Sequence, residues 1–339
     1  NEKILNETAV AMCAPGRGLL AADESTGTIK KRFDNIGVEN NELNRQTYRD
    51  MLFTTEGFEK HTSGVILFEE TLDQTAPDGT RLVDLITAAG SIPGIKVDKG
   101  AKPLAGHPGE TVTEGLDGLR ERLAVYHDKG ARFAKWRAVI AIGDGRPSWN
   151  AVKANAHALA RYAALCQEAG IVPIVEPEVA MDGPDAGHDI DQCADVSRRV
   201  LNAVFRELHD AGVDLEGIIL KPNMVVPGQQ SGQRASVEEI AAKTLACLRA
   251  EVPAAVPGIA FLSGGQSDLE ATAHLNAMNA AANLPWALTF SYGRALQAAA
   301  LKAWCGKAEN RTAAQTAFAH RARMNGLASA GKWSESQEA

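Results

Sequence analysis

Three lysines stand where short apolar, strand-like runs end: Lys96 in Gly94-Ile95-Lys96-Val97-Asp98, Lys135 in Phe133-Ala134-Lys135-Trp136-Arg137, and Lys221 in Ile219-Leu220-Lys221-Pro222-Asn223. A lone lysine at a strand end is ordinarily an ion-pair partner. Three lysines facing one space are a different matter, because mutual repulsion and partial desolvation both lower an ammonium pKa. A fall of about three units from the free value near 10.4 leaves much of the amine neutral near pH 7. A neutral amine attacks carbonyls and forms Schiff bases. Asp23, Glu176 and Glu178 end other runs and are candidates for moving protons. The alternative is that these acids only neutralise the lysines.

Two late segments suit an anion. Phe261-Leu262-Ser263-Gly264-Gly265-Gln266 puts a hydroxyl and two glycines between a strand and a helix, and Ser291-Tyr292-Gly293-Arg294 repeats the arrangement with a guanidinium. Backbone N–H groups and a helix N-terminus meet an oxyanion at such turns. The alternative is two ordinary glycine-containing turns.

These residues need a frame. Eight apolar runs recur along the chain: Gly18 to Asp23, Gly64 to Glu69, Gly94 to Asp98, Arg132 to Arg137, Ile171 to Glu178, Glu216 to Lys221, Gly258 to Ser263 and Pro285 to Ser291. Most are continuously apolar, as parallel strands buried on both faces are. The run Leu19-Leu20-Ala21-Ala22 is the least strand-like, since Leu and Ala also favour helix. Helical patterns lie between them, among them Ala151 to Gly170, Ser197 to Gly212, Ser236 to Ala250, Ser267 to Ala281, Arg294 to Cys305 and Arg311 to Asn325. Ser236-Val237-Glu238-Glu239 reads as a capping box. Regular strand-helix alternation predicts a (β/α)8 TIM barrel, one domain over 1–339 with additional terminal helices and a polar tail from about residue 332. Counting leaves a doubly wound sheet open. In a barrel the run ends Asp23, Glu69, Lys96 with Asp98, Lys135 with Arg137, Glu176 with Glu178, Lys221, Ser263 and Ser291 converge on one face.

Composition removes other classes. The 339 residues carry 35 Lys and Arg against 42 Asp and Glu, a net charge of -7, so no nucleic-acid partner is expected. Five scattered cysteines without a CxxC motif point to a reducing compartment. No apolar run is long enough to span a membrane, so no membrane partner is expected, and Asn1-Glu2-Lys3-Ile4 lacks the apolar core of a signal peptide. The eight histidines form no closely spaced pair, so no metal site is expected. Gly16-Arg17-Gly18-Leu19-Leu20-Ala21 fits GxGxxA but precedes its strand, unlike a dinucleotide turn. There is no GxSxG elbow and no GxxxxGK[ST] loop. Trp136 and Trp286 read as core or barrel-wall residues.

Together the motifs resemble class I fructose-1,6-bisphosphate aldolases. The matching segments are Pro15-Gly16-Arg17-Gly18-Leu19-Leu20-Ala21-Ala22-Asp23-Glu24-Ser25, Gly94 to Gly100, Phe133 to Arg137, Pro173-Ile174-Val175-Glu176-Pro177-Glu178, Leu220-Lys221-Pro222-Asn223-Met224, Phe261 to Ser267, and Phe290 to Leu296. The resemblance runs from Pro15 to about Lys332. It implies a barrel, a homotetramer, and reversible cleavage of fructose 1,6-bisphosphate to dihydroxyacetone phosphate and glyceraldehyde 3-phosphate, with sugar phosphates as the small-molecule partners. On this resemblance Lys221 is the Schiff-base lysine, whose iminium is the electron sink, so no metal or other cofactor is implied. Asp23 takes the C4 hydroxyl proton, Glu176 helps form and resolve the imine, and Lys135 and Glu178 tune the charge network. Ser263, Gly264, Gly293 and Arg294 hold the C1 phosphate. Ser25, Thr28 and Lys96 hold the C6 phosphate, Arg32 stands at the rim, and Arg137 joins the substrate-binding set.

Family members usually continue into a mobile tail ending in Tyr, whereas this sequence ends Ser334-Glu335-Ser336-Gln337-Glu338-Ala339. The Phe68-Glu69-Glu70-Thr71-Leu72 stretch resembles plant and algal versions, which implies chloroplast stroma or cytosol and a role in glycolysis, gluconeogenesis or carbon fixation. The sequence leaves two alternatives. A transaldolase-type barrel also uses a lysine but needs no second phosphate site. A scaffold protein with secondary catalytic activity would bind partners instead.

Overall fold

The computed structural model describes residues 1–182, 186–281 and 283–339. Among these, eight parallel strands close on themselves. The barrel strands are β1 (Gly18–Ala22), β2 (Thr62–Leu67), β3 (Ile92–Lys96), β6 (Phe133–Ile140), β7 (Val172–Val179), β8 (Ile219–Leu220), β9 (Gly258–Phe261) and β10 (Ala287–Tyr292). They run round in the order β1-β10-β9-β8-β7-β6-β3-β2, so β1 and β10 form the closing seam. A two-stranded hairpin, β4 (Ala101–Pro103) with β5 (Thr111–Thr113), lies outside the barrel. No helix among the described residues is long and apolar enough to cross a membrane.

The strands form despite their charged ends because successive residues alternate between two buried faces. On β6, Ala134 and Trp136 join the large core between barrel and helices, and the Trp136 ring lies 5.5 Å from that of Tyr162. Phe133 points inward, where it packs with Leu19, Ile66, Val172, Ile174, Ile219 and Ala260. A Cβ on Gly94 would fall 2.2 Å from the Phe133 ring, so this inward position of β3 admits only glycine. Helix α1 (Glu2–Met12) adds Leu5, Ala9 and Met12 to the same cluster and plugs that end of the barrel.

Register sets the height of each inward residue. Lys135 pairs with Ile174, Ile174 with Ile219, Ile219 with Gly258, and Gly258 with Ala287. A barrel of this type climbs by about one residue per strand. Lys221 and Ser291 therefore stand level with Lys135, in a layer that alternate strands share. Period-two alternation thus delivers an apolar layer first and a charged layer next along the same strands.

The outer helices follow their caps. Ser25 caps α2 (Thr26–Asp34), and α3 (Glu42–Phe53), α4 (Leu82–Ala88) and α5 (Leu119–Asp128) follow it; Ser148 caps α6 (Trp149–Glu168), and Ser236 caps α8 (Val237–Glu251) by accepting from Glu239 N. At Ser236 only the half of the box that uses the serine side chain forms. The reciprocal box forms at Ser267 with Glu270, opening α9 (Asp268–Asn279). Helices α10 (Arg294–Trp304) and α11 (Arg311–Ser329) follow, close to the expected spans.

Three expectations need correction. Helix α7 runs Ile190–Asp210, starting well before Ser197, because Asp189 and Gln192 form a capping box. Strand β8 is only Ile219–Leu220: Leu215–Gly217 turns as a 3-10 helix held by the Asp214 side chain, and Lys221 lies one residue beyond the strand. Glu69 does not join the converging ends. β2 stops at Leu67, the chain enters a 3-10 turn, and Glu69 leaves the barrel to accept from Tyr126 Oη at 2.8 Å and pair with Lys99 at 3.4 Å.

Candidate active site

At the end of the barrel opposite α1, a cavity of about 550 Å³ opens among the strand ends. Lys221, Asp23, Glu176, Lys135 and Glu178 line it, together with Ser25, Thr28, Arg32, Lys96, Arg137, Ser263, Gly264, Gly293 and Arg294. The fold brings together every residue singled out in the sequence as a site residue.

The centre is a chain of buried charges. Lys135 Nζ lies 3.0 Å from Asp23 Oδ2 and 3.3 Å from Glu176 Oε2. Lys221 Nζ lies 3.5 Å from Glu176 Oε1. The Glu176 Oε2 contact is an ion pair by distance but not an aligned hydrogen bond, which leaves that buried oxygen with spare accepting capacity. Arg137 Nε donates to Glu178 Oε2 at 2.5 Å.

The two neighbouring lysines respond in opposite directions. Burial lowers both, but Lys135 sits between Asp23 and Glu176, with Asp98 nearby, and these carboxylates raise it well above its ordinary value. For Lys221 burial prevails: Glu176 opposes it, the Lys135 charge adds to it, and the net direction is down. Burial would raise the Asp23 carboxyl, yet Lys135, Lys221 and Lys96 outweigh it and hold Asp23 at about 2. Of the two lysines, Lys135 is the fixed cation and Lys221 the more readily deprotonated amine.

Cationic and hydroxyl groups flank this centre. On one side, Ser25 Oγ accepts from Thr28 N at 3.4 Å and meets Thr28 Oγ1 at 3.1 Å, at the start of α2. Lys96 Nζ lies 3.0 Å from Asp98 Oδ1. On the other side, Ser263 and Gly264 form the turn after β9, and Gly293 and Arg294 open α10. Gly265 adopts a φ of +74°, and a Cβ there would fall 2.5 Å from Met181 Cγ, so the turn requires glycine. Arg294 Nη2 donates to Ser263 O at 3.3 Å and to Gln266 O, while Nη1 faces Asp268 at 3.5 Å. Arg32 reaches across from α2: a Cβ on Gly293 would lie 3.4 Å from its Nη2, and Glu24 Oε1 holds its Nη1 at 2.5 Å.

Asp98 and Ser291, converging run ends to which the sequence assigns no role, also line the cavity, and Glu24 joins them. Asp98 Oδ2 accepts from Arg137 N at 3.1 Å and Oδ1 from Gly100 N at 3.0 Å, tying β3 to β6 and to the hairpin. Ser291 Oγ is buried at the cavity wall with no partner. Both are inward positions two residues beyond another inward residue, and that period was the available signal. Glu24 is out of phase with its strand, and nothing in the sequence marks its bond to Arg32. Among the described residues, no group of three or more His, Cys, Asp or Glu side chains is arranged to hold a metal.

A closed parallel barrel with buried amines and carboxylates at the C-terminal ends of its strands has the architecture of a βα-barrel enzyme. Residues 4–339 match the family described as fructose-bisphosphate aldolase class-I. The chain belongs to that family of lyases. It is 57% identical over 330 residues to a probable fructose-bisphosphate aldolase class 1 of Xanthomonas axonopodis pv. citri, covering 97% of this chain and 98% of that protein. It is 57% identical over 318 residues to fructose-bisphosphate aldolase 4, cytosolic, of Arabidopsis thaliana, covering 94% and 80%. A co-crystal structure of fructose-bisphosphate aldolase from Plasmodium falciparum with TRAP and a small-molecule inhibitor superposes with a TM-score of 0.96 at 50% identity, covering 98% of this chain and 96% of that one.

Proposed function

We propose that Lys221 is the Schiff-base residue of the class I fructose-bisphosphate aldolase reaction that this chain performs. The observation that carries this assignment is the unequal pairing of two buried lysines on one charge chain: Lys135 lies within 3.3 Å of two carboxylates, Asp23 and Glu176, whereas Lys221 has Glu176 alone, at 3.5 Å, and burial pushes it toward the neutral amine.

The steps follow from that difference. The Lys221 amine adds to the C2 carbonyl, and Glu176, 3.5 Å away, carries the proton that lets the carbinolamine oxygen leave as water. The iminium then accepts the electron pair of the breaking C3–C4 bond while Asp23 takes the C4 hydroxyl proton. Lys135 keeps Asp23 ionised beforehand and, at 3.0 Å, holds it in place. Glyceraldehyde 3-phosphate leaves; the enamine is protonated at C3 and hydrolysed, which frees dihydroxyacetone phosphate and restores the amine. Ser263, Gly264, Gly293 and Arg294 take one phosphate, and Ser25, Thr28 and Lys96 take the other. Arg32, Arg137 and Glu178 complete the rim. Anion-suited groups on both sides of the amine favour a bisphosphate over the monophosphate of a transaldolase-type reaction.

The same reading makes the chain one barrel domain over 1–339 that assembles as a homotetramer and works in cytosol or plastid stroma. The plant-like assignment rests on the Phe68 to Leu72 stretch. Light scattering on the purified protein measures the assembly, and a monomer would overturn that part.

The chemistry is tested by borohydride trapping with dihydroxyacetone phosphate in EDTA, followed by mass mapping. A reduced adduct on Lys221 is expected. An adduct on Lys135 or Lys96 would overturn the assignment, and so would cleavage activity that EDTA abolishes.

A further inference from the structure

The turn Ser263 to Gln266 is a wall between two spaces. Ser263 and Gly264 line the active-site cavity, whereas Gly265 and Gln266 line a second cavity of about 710 Å³ behind it, with Gly228, Gln233 and His274. Met181 packs against Gly265, but beyond that contact this face of the turn opens on the second cavity, so the orientation of the Gln266 peptide depends on individual hydrogen bonds.

Gln266 makes the decisive ones. Its main-chain N–H donates to Ser263 O at 3.2 Å, and its carbonyl accepts from Arg294 Nη2. Its side chain, in a residue only 5% exposed, turns to the rear, where Oε1 lies 2.5 Å from Nδ1 of His274 on α9. Nε2 is buried and has no partner. The bond to His274 is thus the one hydrogen bond that fixes this side chain among the described residues. With Oε1 accepting, the His274 ring carries its proton on Nδ1. Burial lowers the His274 pKa, which favours that neutral form.

We propose that His274 is a positioning residue for substrate phosphate. Through the Gln266 side chain it fixes the peptide whose carbonyl orients the Arg294 guanidinium. His274 does not touch the active-site cavity and does not act on the reacting atoms. The inference rests on the assignment of Ser263, Gly264, Gly293 and Arg294 to a phosphate.

The test is a set of steady-state measurements with fructose 1,6-bisphosphate. His274→Leu keeps the size and removes the bond; His274→Asn keeps a polar partner. His274→Leu is expected to raise KM about fivefold with kcat within about twofold, and His274→Asn to recover most of the loss. Arg294→Ala is expected to raise KM by more than about tenfold, and His274→Leu to add little in that background, because both changes act through one guanidinium. If Arg294→Ala leaves KM unchanged, the phosphate assignment itself fails. If Arg294→Ala raises KM while His274→Leu does not, or if the two effects multiply, the positioning role is overturned and the phosphate site stands. Should His274→Leu fail to fold, Gln266→Met removes the same bond from the other side and carries the same test.

Discussion

The two ends of the barrel use the same strands and the same inward-facing positions for opposite purposes. At the α1 end, Phe133, Val172, Ile174 and Ile219 pack with Leu5, Ala9 and Met12 into a dry layer. At the other end, two or four residues further along those strands, Lys135, Glu176, Glu178 and Lys221 face a cavity. One end gains stability from apolar burial. The other pays a desolvation cost for each charge and recovers it only through neighbours. The lesson is a division of labour: the plugged end holds the frame still while the charged end keeps groups in states that water would not allow.

Substitutions at each end should separate these roles. The largest effect belongs to Lys221→Met, which removes the amine but keeps an apolar chain of similar length. We expect kcat to fall at least about 10⁴-fold, with Tm little changed, since one desolvated amine is replaced by an apolar chain and Glu176 keeps Lys135 as its partner. A large drop in Tm with kcat preserved would invert the comparison. Asp23→Asn is next, with kcat down about 10²- to 10⁴-fold. It also has a pH signature. The folded-state pKa of Asp23, about 2, lies below the unfolded value, so its stabilisation is present above about pH 4 and is lost as pH falls toward 2. Denaturation of wild type and Asp23→Asn should therefore converge across that acid range; a gap independent of pH would refute the linkage.

At the plugged end, Met12→Ala should cost about 2–5 kcal/mol of stability while kcat per folded molecule stays within about twofold. A selective loss of activity would mean that the plug reaches the chemistry. The smallest effect is expected of Ser25→Ala at the boundary, where one serine both caps α2 and faces the cavity. Loss of the cap costs about 1 kcal/mol, and KM should rise a few-fold. An unchanged KM would leave Ser25 with the helix alone.

Much of the site was legible because alternation in a strand is a strict code. Lys135 and Arg137, like Glu176 and Glu178, share a face whatever the rest of the chain does. The code ends where the strand ends. Glu69 reads like the other run ends, but the turn after Leu67 takes it outside the barrel. Glu24 and Gln266 lie in turns, where periodicity says nothing about direction, so their bonds to Arg32 and His274 emerge only from the fold. The β4–β5 hairpin was missed because three-residue strands are too short to show a pattern. Helix α1 was legible in principle: Leu5, Ala9 and Met12 recur at helical spacing, but which surface they cover depends on barrel closure.

The closing seam between β1 and β10 has a consequence for the chain while it is being made. Asp23 and Lys135 are 112 positions apart, and Leu19 finds Ser291 only when the last strand arrives. Until then Lys221 is an ordinary lysine in water, protonated at neutral pH and inert toward the carbonyl compounds around it. Closure of the seam thus brings Lys221 into the buried setting that lowers its pKa, whereas an unfinished or opened chain leaves it an ordinary surface ammonium.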